Sequence, residues 1–512
     1  MQNVKHKTKR LLPILLIVGM ALALMPMMAL AAPGDYNTSD IAAINNIIAN
    51  NNLSWTNANS DGSVIPSDWM GVMWSADVTN KRIVQLSFAN RSLDGALDVT
   101  GLTALEVLVC DNNNISSLNA SGLNALEYLR CNSSQLASLD ISGCTALEYL
   151  YCSYNYNLTV LDAPGLTALK RLNCSYNYNM TSLDVSGCTA LEYLNCFYNR
   201  NLTSLDVSGC TALEYLNCLE NRNLTSLSVS GCTALQSLNC RNSSLTSLNV
   251  SGCTALQSLN CSNSSLTSLN VSGLTALQSL NCDNSSLTSL NVSGLTALQS
   301  LYCNNSSLTS LNISGCTALQ SLDCINNDFT SLNVSGSTTL QSLNCTNNSL
   351  TSLDISGCTA LRYLACGYSD LTSLTVTGFP NLNSLNVSGC VYLESLDCSN
   401  NSLTYLNVYR LSNISYLDVR NNYMMANQNA VAGVTDAAAF VNWETGDFYF
   451  SPQKTSLSDL LIVAEMIALF FLSVFYALSL LLFSFVICTG IMSIGLLCAM
   501  VLLKLLQNRG AK

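Results

Sequence analysis

Leucines recur along this chain at a fixed interval. From residue 82 to residue 424 a pattern of 21 or 22 residues repeats, and residues 255–275, ALQSLNCSNSSLTSLNVSGLT, are one clear copy. Aligned copies begin at 104, 125, 146, 168, 190, 212, 234, 255, 276, 297, 318, 339 and 360. A shortened copy begins at Asn381, two more at Tyr392 and Asn413, and an atypical first copy at Arg82. Within a copy, Leu256-x-x-Leu259-x-Cys261 ends in the period-2 alternation of a short strand. A second alternation, Leu266-x-x-Leu269-x-Val271, returns the chain along the other side. One copy cannot bury its own leucines. Stacked copies can, with first strands pairing in parallel from turn to turn.

The full pattern, L-x-x-L-x-C-x-x-N/S-x-L, resembles the leucine-rich-repeat signature over about two thirds of the chain. The resemblance implies an α/β leucine-rich-repeat solenoid with a parallel concave β-sheet. So short a repeat leaves little room for helix, so the expected fold is strand-rich. The slot after each first strand holds Asn113, Asn155, Asn177, Asn199, Asn221, Asn327, Asn348, Asn401 and Asn422, or else Ser134, Ser243, Ser264, Ser285, Ser306 and Ser369. A stacked asparagine can bond the backbone of neighbouring turns; serine is shorter and should bond less fully there.

The pattern divides the chain into a signal peptide (1–31), an N-terminal cap (32–81), about 16 repeats (82–424), a C-terminal cap and linker (425–455), a transmembrane region (456–506) and a short basic tail (507–512). In the N-terminal cap, Ile41, Ile44, Ile47 and Ile48 share one helical face, with Ser39 expected as N-cap. Trp55, Trp69 and Trp74 follow. Phe440, Trp443, Phe448 and Phe450 are expected to cover the last open strand edge.

Lys5, Lys7, Lys9 and Arg10 precede an apolar run and an Ala29-Leu30-Ala31 cleavage site, the layout of a secretory signal. Its removal takes four of 20 basic and none of 31 acidic residues, moving the net charge from −11 to −15. Such acidity weighs against a nucleic-acid partner. The single histidine, His6, lies inside the signal, so imidazole-based catalysis and His metal sites are excluded. Residues 466–503 carry no charged side chain, enough for one span or two, and Lys504, Arg509 and Lys512 follow.

Of 24 cysteines, fourteen occupy the strand slot from Cys110 to Cys398. Eight occupy a second slot: Cys144, Cys188, Cys210, Cys232, Cys253, Cys316, Cys358 and Cys390. The remaining two, Cys488 and Cys498, lie in the apolar tail. Phe88 and Val419 replace the first kind, and Leu102, Leu123, Leu166, Leu274 and Leu295 the second. Slots that accept such residues want an apolar filler, which favours a thiol core over disulfides or metal. Asp140, Asp162, Asp184 and Asp206 form a column, but Asn249, Asn270 and Asn291 replace it later, so no calcium ladder or other cofactor is called for.

Surface positions of the middle copies are mostly Ser and Asn. Earlier copies differ. Tyr128, Tyr149, Tyr151, Arg171, Tyr193, Phe197 and Tyr215 are expected in the exposed strand lanes; Tyr154, Tyr156, Tyr176, Tyr178, Tyr198, Arg200 and Arg222 come just past the strands. The copies at 146, 168, 190 and 212 are also the four with 22 residues. Aromatic and arginine enrichment beside a widened loop is the composition of an interface; tyrosine is also a common strand-surface residue, so drift is the competing reading. Repeats, signal and cap resemble bacterial surface proteins of the internalin-like class, which implies adhesion or recognition of an extracellular protein or glycan through the concave sheet. No LPxTG-type wall-sorting motif precedes the tail, so the expected location is the cell surface, anchored in the plasma membrane. A passive spacer is the alternative, and an enzyme is not expected.

Overall fold

The computed structural model describes residues 35–424, 431–432 and 448–449, the last pair by backbone alone. The signal peptide, the transmembrane region, the basic tail and the cap residues Phe440, Trp443 and Phe450 lie outside the described residues. Among the described residues no helix is long and apolar enough to cross a membrane. The repeats fall into two compact units, one reaching Ser349 with Asp354–Gly357, the other comprising Leu350–Leu353 and Cys358 onward.

In the first unit every copy makes one turn of a coil with two short strands. First strands pair in parallel without interruption from Ile83–Ser87 through Val107–Val109 and Tyr128–Arg130 to Ser342–Asn344. Return strands pair only in small groups, such as Val160–Asp162 with Ser182–Asp184 and Ser204–Asp206 with Ser226–Ser228. The leucine at the centre of each strand points inward; Leu150, Leu172, Leu194 and Leu216 are fully buried. The expectation of a strand-rich, parallel solenoid holds, and its one described helix is the cap.

That helix, Thr38–Asn50, seats Ile41, Ile44 and Ile47 on the first copy. Its N-cap is Asn37, not Ser39: the Asn37 side chain accepts from the backbone N–H of Ser39 and Asp40. Ser39 therefore sits inside the first turn. Asp40 is buried, yet it is satisfied: Arg82 grips it with Nε at 3.0 Å and Nη2 at 2.9 Å, and the Ile83 N–H adds a third bond. Trp55 stacks on Trp69 at 6.1 Å and tilts against Phe88 at 5.4 Å, closing the apolar end. Val72–Trp74 pairs antiparallel with Ile83–Ser87 and so covers that edge.

The second unit contains a slip. The first strands Tyr363–Ala365 and Ser384–Asn386 pair in one sheet with Tyr405–Asn407, a return strand by the spacing. The strand Ser395–Asp397 of the copy beginning at Tyr392 pairs instead with the return strand Ser373–Thr375, and Tyr416–Asp418 continues that second sheet. The spacing predicts three more copies with first strands side by side. The shortened copy supplies only half a turn, so everything after it changes sides. Both halves of a copy read L-x-x-L-x-C/V, which is why either can occupy either sheet. Val431–Ala432 and Phe448–Tyr449 each add to one edge.

All 22 described cysteines are buried. Cys152, Cys196 and Cys240 are free thiols whose pKa burial pushes up to about 12. Second-slot thiols also donate to the turn before: Cys144 to the Ala120 carbonyl at 3.2 Å, Cys188 to Ala163 at 3.1 Å. Thiol thus fills space and satisfies a buried acceptor.

Candidate recognition surface

The asparagine slot builds the foundation. Asn177 accepts the Asn155 backbone N–H at 2.7 Å and donates to the carbonyls of Cys152 and Cys174. Asn199 repeats this one turn on, accepting from Asn177 and donating to Cys174, and Asn221 accepts from Asn199. Each asparagine therefore ties together two turns that would otherwise bury unpaired backbone groups. Serine does less: Ser264 donates only to the Cys261 carbonyl, and the Ser243 hydroxyl is buried without a partner.

Tyrosines flank Asn155 and Asn177 on both sides, and Tyr198 precedes Asn199. Tyr154, Tyr176 and Tyr198 have φ of 60°, 59° and 65°, a left-handed backbone that sister copies give to Asn112, Asn242, Asn263 and Asn284. Asparagine tolerates this conformation; a bulky side chain rarely adopts it. Three successive tyrosines there are out of place on backbone grounds. Their rings stack: Tyr154 on Tyr176 at 4.5 Å and 9°, Tyr176 on Tyr198 at 5.2 Å and 29°. Tyr156 stacks on Tyr178 at 5.0 Å, and the Arg200 guanidinium lies 4.4 Å from the Tyr198 ring centre. Desolvation, then neighbouring tyrosine hydroxyls, raise the Tyr176 and Tyr178 pKa above the usual tyrosine value, so both stay neutral donors. The rings cover one another's faces, and Tyr154, Tyr156 and Tyr178 remain exposed to solvent.

A second set lies on the sheet. Tyr128, Tyr149, Arg171, Tyr193 and Tyr215 are register partners on adjacent first strands and form one straight row. Tyr193 and Tyr215 stack at 4.7 Å and 4°, Arg171 covers Tyr193 at 4.3 Å, and Tyr128 meets Tyr151 at 5.6 Å. One expected member sits elsewhere. Phe197 is not in the strand lane, because its strand ends at Asn195; it packs edge-on against Tyr176 at 4.9 Å. Arg222 binds Glu220 of its own turn at 3.1 Å. Burial alone would raise the Glu220 pKa, but Asn242 and Arg222 hold it below the usual value.

The second unit carries exposed tyrosines that the sequence pattern alone did not single out: Tyr368, Tyr392, Tyr405, Tyr409 and Tyr423. Tyr368 occupies the same left-handed slot with φ 53°. Its ring lies over Gly389, where an added Cβ would meet Cδ1 at 2.6 Å. A tyrosine in a mostly asparagine slot was the available signal. Among the described residues, no group of three or more His, Cys, Asp or Glu could hold a metal ion.

A leucine-rich-repeat family model matches residues 198–214 and 346–361. Two of the copies thus match a leucine-rich repeat. Solved structures with similar repeats include the functional domain of InlJ from Listeria monocytogenes, described as including a cysteine ladder: 27% identity over 72% of this chain and 74% of that one, TM-score 0.42. YopM from Yersinia enterocolitica is 22% identical over 66% of this chain and 74% of that one, TM-score 0.45. The internalin InlF from Listeria monocytogenes is 20% identical over 64% and 92%, TM-score 0.37. No curated protein sequence matches the chain. A leucine-rich-repeat coil fits a protein-binding role, since its regular sheet displays side chains in straight rows.

Proposed function

We propose that this chain is an exported recognition protein, anchored in the plasma membrane by its apolar C-terminal region, that captures an extracellular protein or glycan through the tyrosine surface of residues 128–222. One observation carries the reading. Tyr154, Tyr176 and Tyr198 hold a left-handed backbone in which sister copies use asparagine. Such a residue costs on the order of 1 kcal/mol relative to an unstrained one. Most copies elsewhere in the coil, Tyr368 excepted, do without it, so folding does not demand it, whereas a ligand surface would. A uniform spacer has no use for the contrast between these copies and the Ser/Asn copies that follow. Catalysis has no support: His6 is the only histidine.

The test is site-specific cross-linking on cells bearing the full chain. A photoreactive phenylalanine analogue at Tyr178 should form a discrete cross-linked species, and one at Ser279 should not. The triple change Tyr154→Asn, Tyr176→Asn, Tyr198→Asn should abolish that species while the protein reaches the surface in normal amount. Equal cross-linking at both positions, or none at either, would favour the spacer.

A further inference from the structure

Carboxylates run beside the tyrosine row. The residue before each first strand is Glu106, Glu127, Glu148, Lys170, Glu192 and Glu214 in successive copies, and glutamine from Gln236 to Gln341 thereafter. The adjoining row changes at the same boundary, from Tyr215 to Ser237, and so does copy length, from 22 to 21 residues. Both rows are half-buried or exposed on either side of the boundary. The leucine core asks nothing of them, so packing does not explain why they change together.

The copy beginning at 168 shows what these rows accept. It carries Lys170 and Arg171 where its neighbours carry Glu and Tyr. The Lys170 ammonium lies 2.6 Å from a Glu148 carboxylate oxygen, and the Arg171 guanidinium 4.3 Å from the Tyr193 ring centre. A basic dipeptide within the chain thereby engages one carboxylate and one ring. Further along, Tyr215 uses one face to stack on Tyr193. Its register neighbour on the other side is Ser237, too short to cover a ring.

We propose that the lane from Glu127 to Tyr215 docks a cationic protein segment, whose Arg or Lys side chains repeat at further carboxylate–ring positions the contacts that Lys170 and Arg171 make within the chain. The inference rests on the recognition reading above and names the partner class. Exposed ion pairs contribute little singly. A guanidinium placed over a tyrosine with a carboxylate beside it gains from both, and the row of carboxylates steers the approach.

The probe is a labelled peptide of alternating Arg and Gly, with a citrulline–Gly peptide as its neutral isostere, titrated into the full-length protein by fluorescence anisotropy. The Arg peptide should bind about tenfold tighter than the isostere, and weaken as salt rises from about 0.05 to about 0.3 M. Glu127→Gln, Glu192→Gln and Glu214→Gln together should weaken it about tenfold, and Tyr215→Ser alone about threefold. Glutamine and serine are native to the later copies, so these variants should fold. Asp140→Asn, Asp162→Asn and Asp184→Asn remove the same charge from the return strands and should change binding less than about twofold. Equal losses in the two triple variants would reduce the effect to diffuse attraction and overturn the proposal, as would equal binding of the isostere. If Tyr178 cross-links a partner and the Arg peptide fails to bind, the partner class is wrong and the recognition surface stands. If both fail, the recognition reading falls too.

Discussion

At the residue scale the asparagine slot shows how one side chain decides the stability of a turn. Asn177→Ala leaves the Asn155 N–H unpaired and takes one of two asparagine donors from each of the Cys152 and Cys174 carbonyls, which keep Asn155 and Asn199 respectively. It should destabilise that region by about 3 kcal/mol, read as lost hydrogen-exchange protection in turns 146 to 199. The converse is Ser264→Asn, which restores the missing bonds and should stabilise by about 1 kcal/mol in urea unfolding. Asp323 gives a pH prediction. One of its carboxylate oxygens is buried without a partner, and burial, with Asp283 nearby, raises its pKa. A raised folded value means the ionised form costs stability at neutral pH, a cost that disappears as pH falls through that value. Asp323→Asn should therefore raise Tm at pH 7 by on the order of 1 °C, with the gain shrinking near pH 4. The asparagine slot was legible because its spacing repeats. Ser39 and Phe197 were misplaced because a cap and a strand end are set by local backbone bonds that period alone does not encode.

At the element scale, each strand of three residues is too short to be stable alone and exists only because the turns beside it exist. Removal of one whole middle copy, residues 276–296, should leave a protein that folds cooperatively and still gives the Tyr178 cross-link. Loss of the folded far-ultraviolet spectrum in that deletion would mean that the copies are not interchangeable. The strands themselves were readable from period-2 alternation. The slip in the second unit was not, because the two half-copies share one apolar pattern and the sequence does not say which sheet each enters. Only the short interval between Asn381 and Tyr392 hints at it.

At the scale of the whole molecule, the buried thiols couple folding to alkaline pH. Cys152, Cys188, Cys196 and Cys240 are raised by burial from 9.0 to about 12. The unfolded chain releases these protons from about pH 9, whereas the folded chain retains them, so stability is complete below pH 9 and falls as pH rises toward 12. Each such thiol contributes a slope of about 1.4 kcal/mol per pH unit in that window. Unfolding followed by circular dichroism should be steep above pH 9, and Cys196→Val should make it shallower. At neutral pH, mass spectrometry after maleimide treatment should find peptides from Cys110 to Cys398 unlabelled until denaturant is added. This compartment of thiols was legible because Leu, Val and Phe stand in for cysteine at the same slots; their bonds to neighbouring carbonyls were not, since no substitution reports them.

The change of sides after residue 381 has an evolutionary consequence. A coil whose two half-turns are interchangeable can gain or lose about ten residues in one genetic event and still close on itself. Every such event carries the downstream side chains to the opposite flank. Such a gene can relocate what it displays without altering a single codon of the displayed segment.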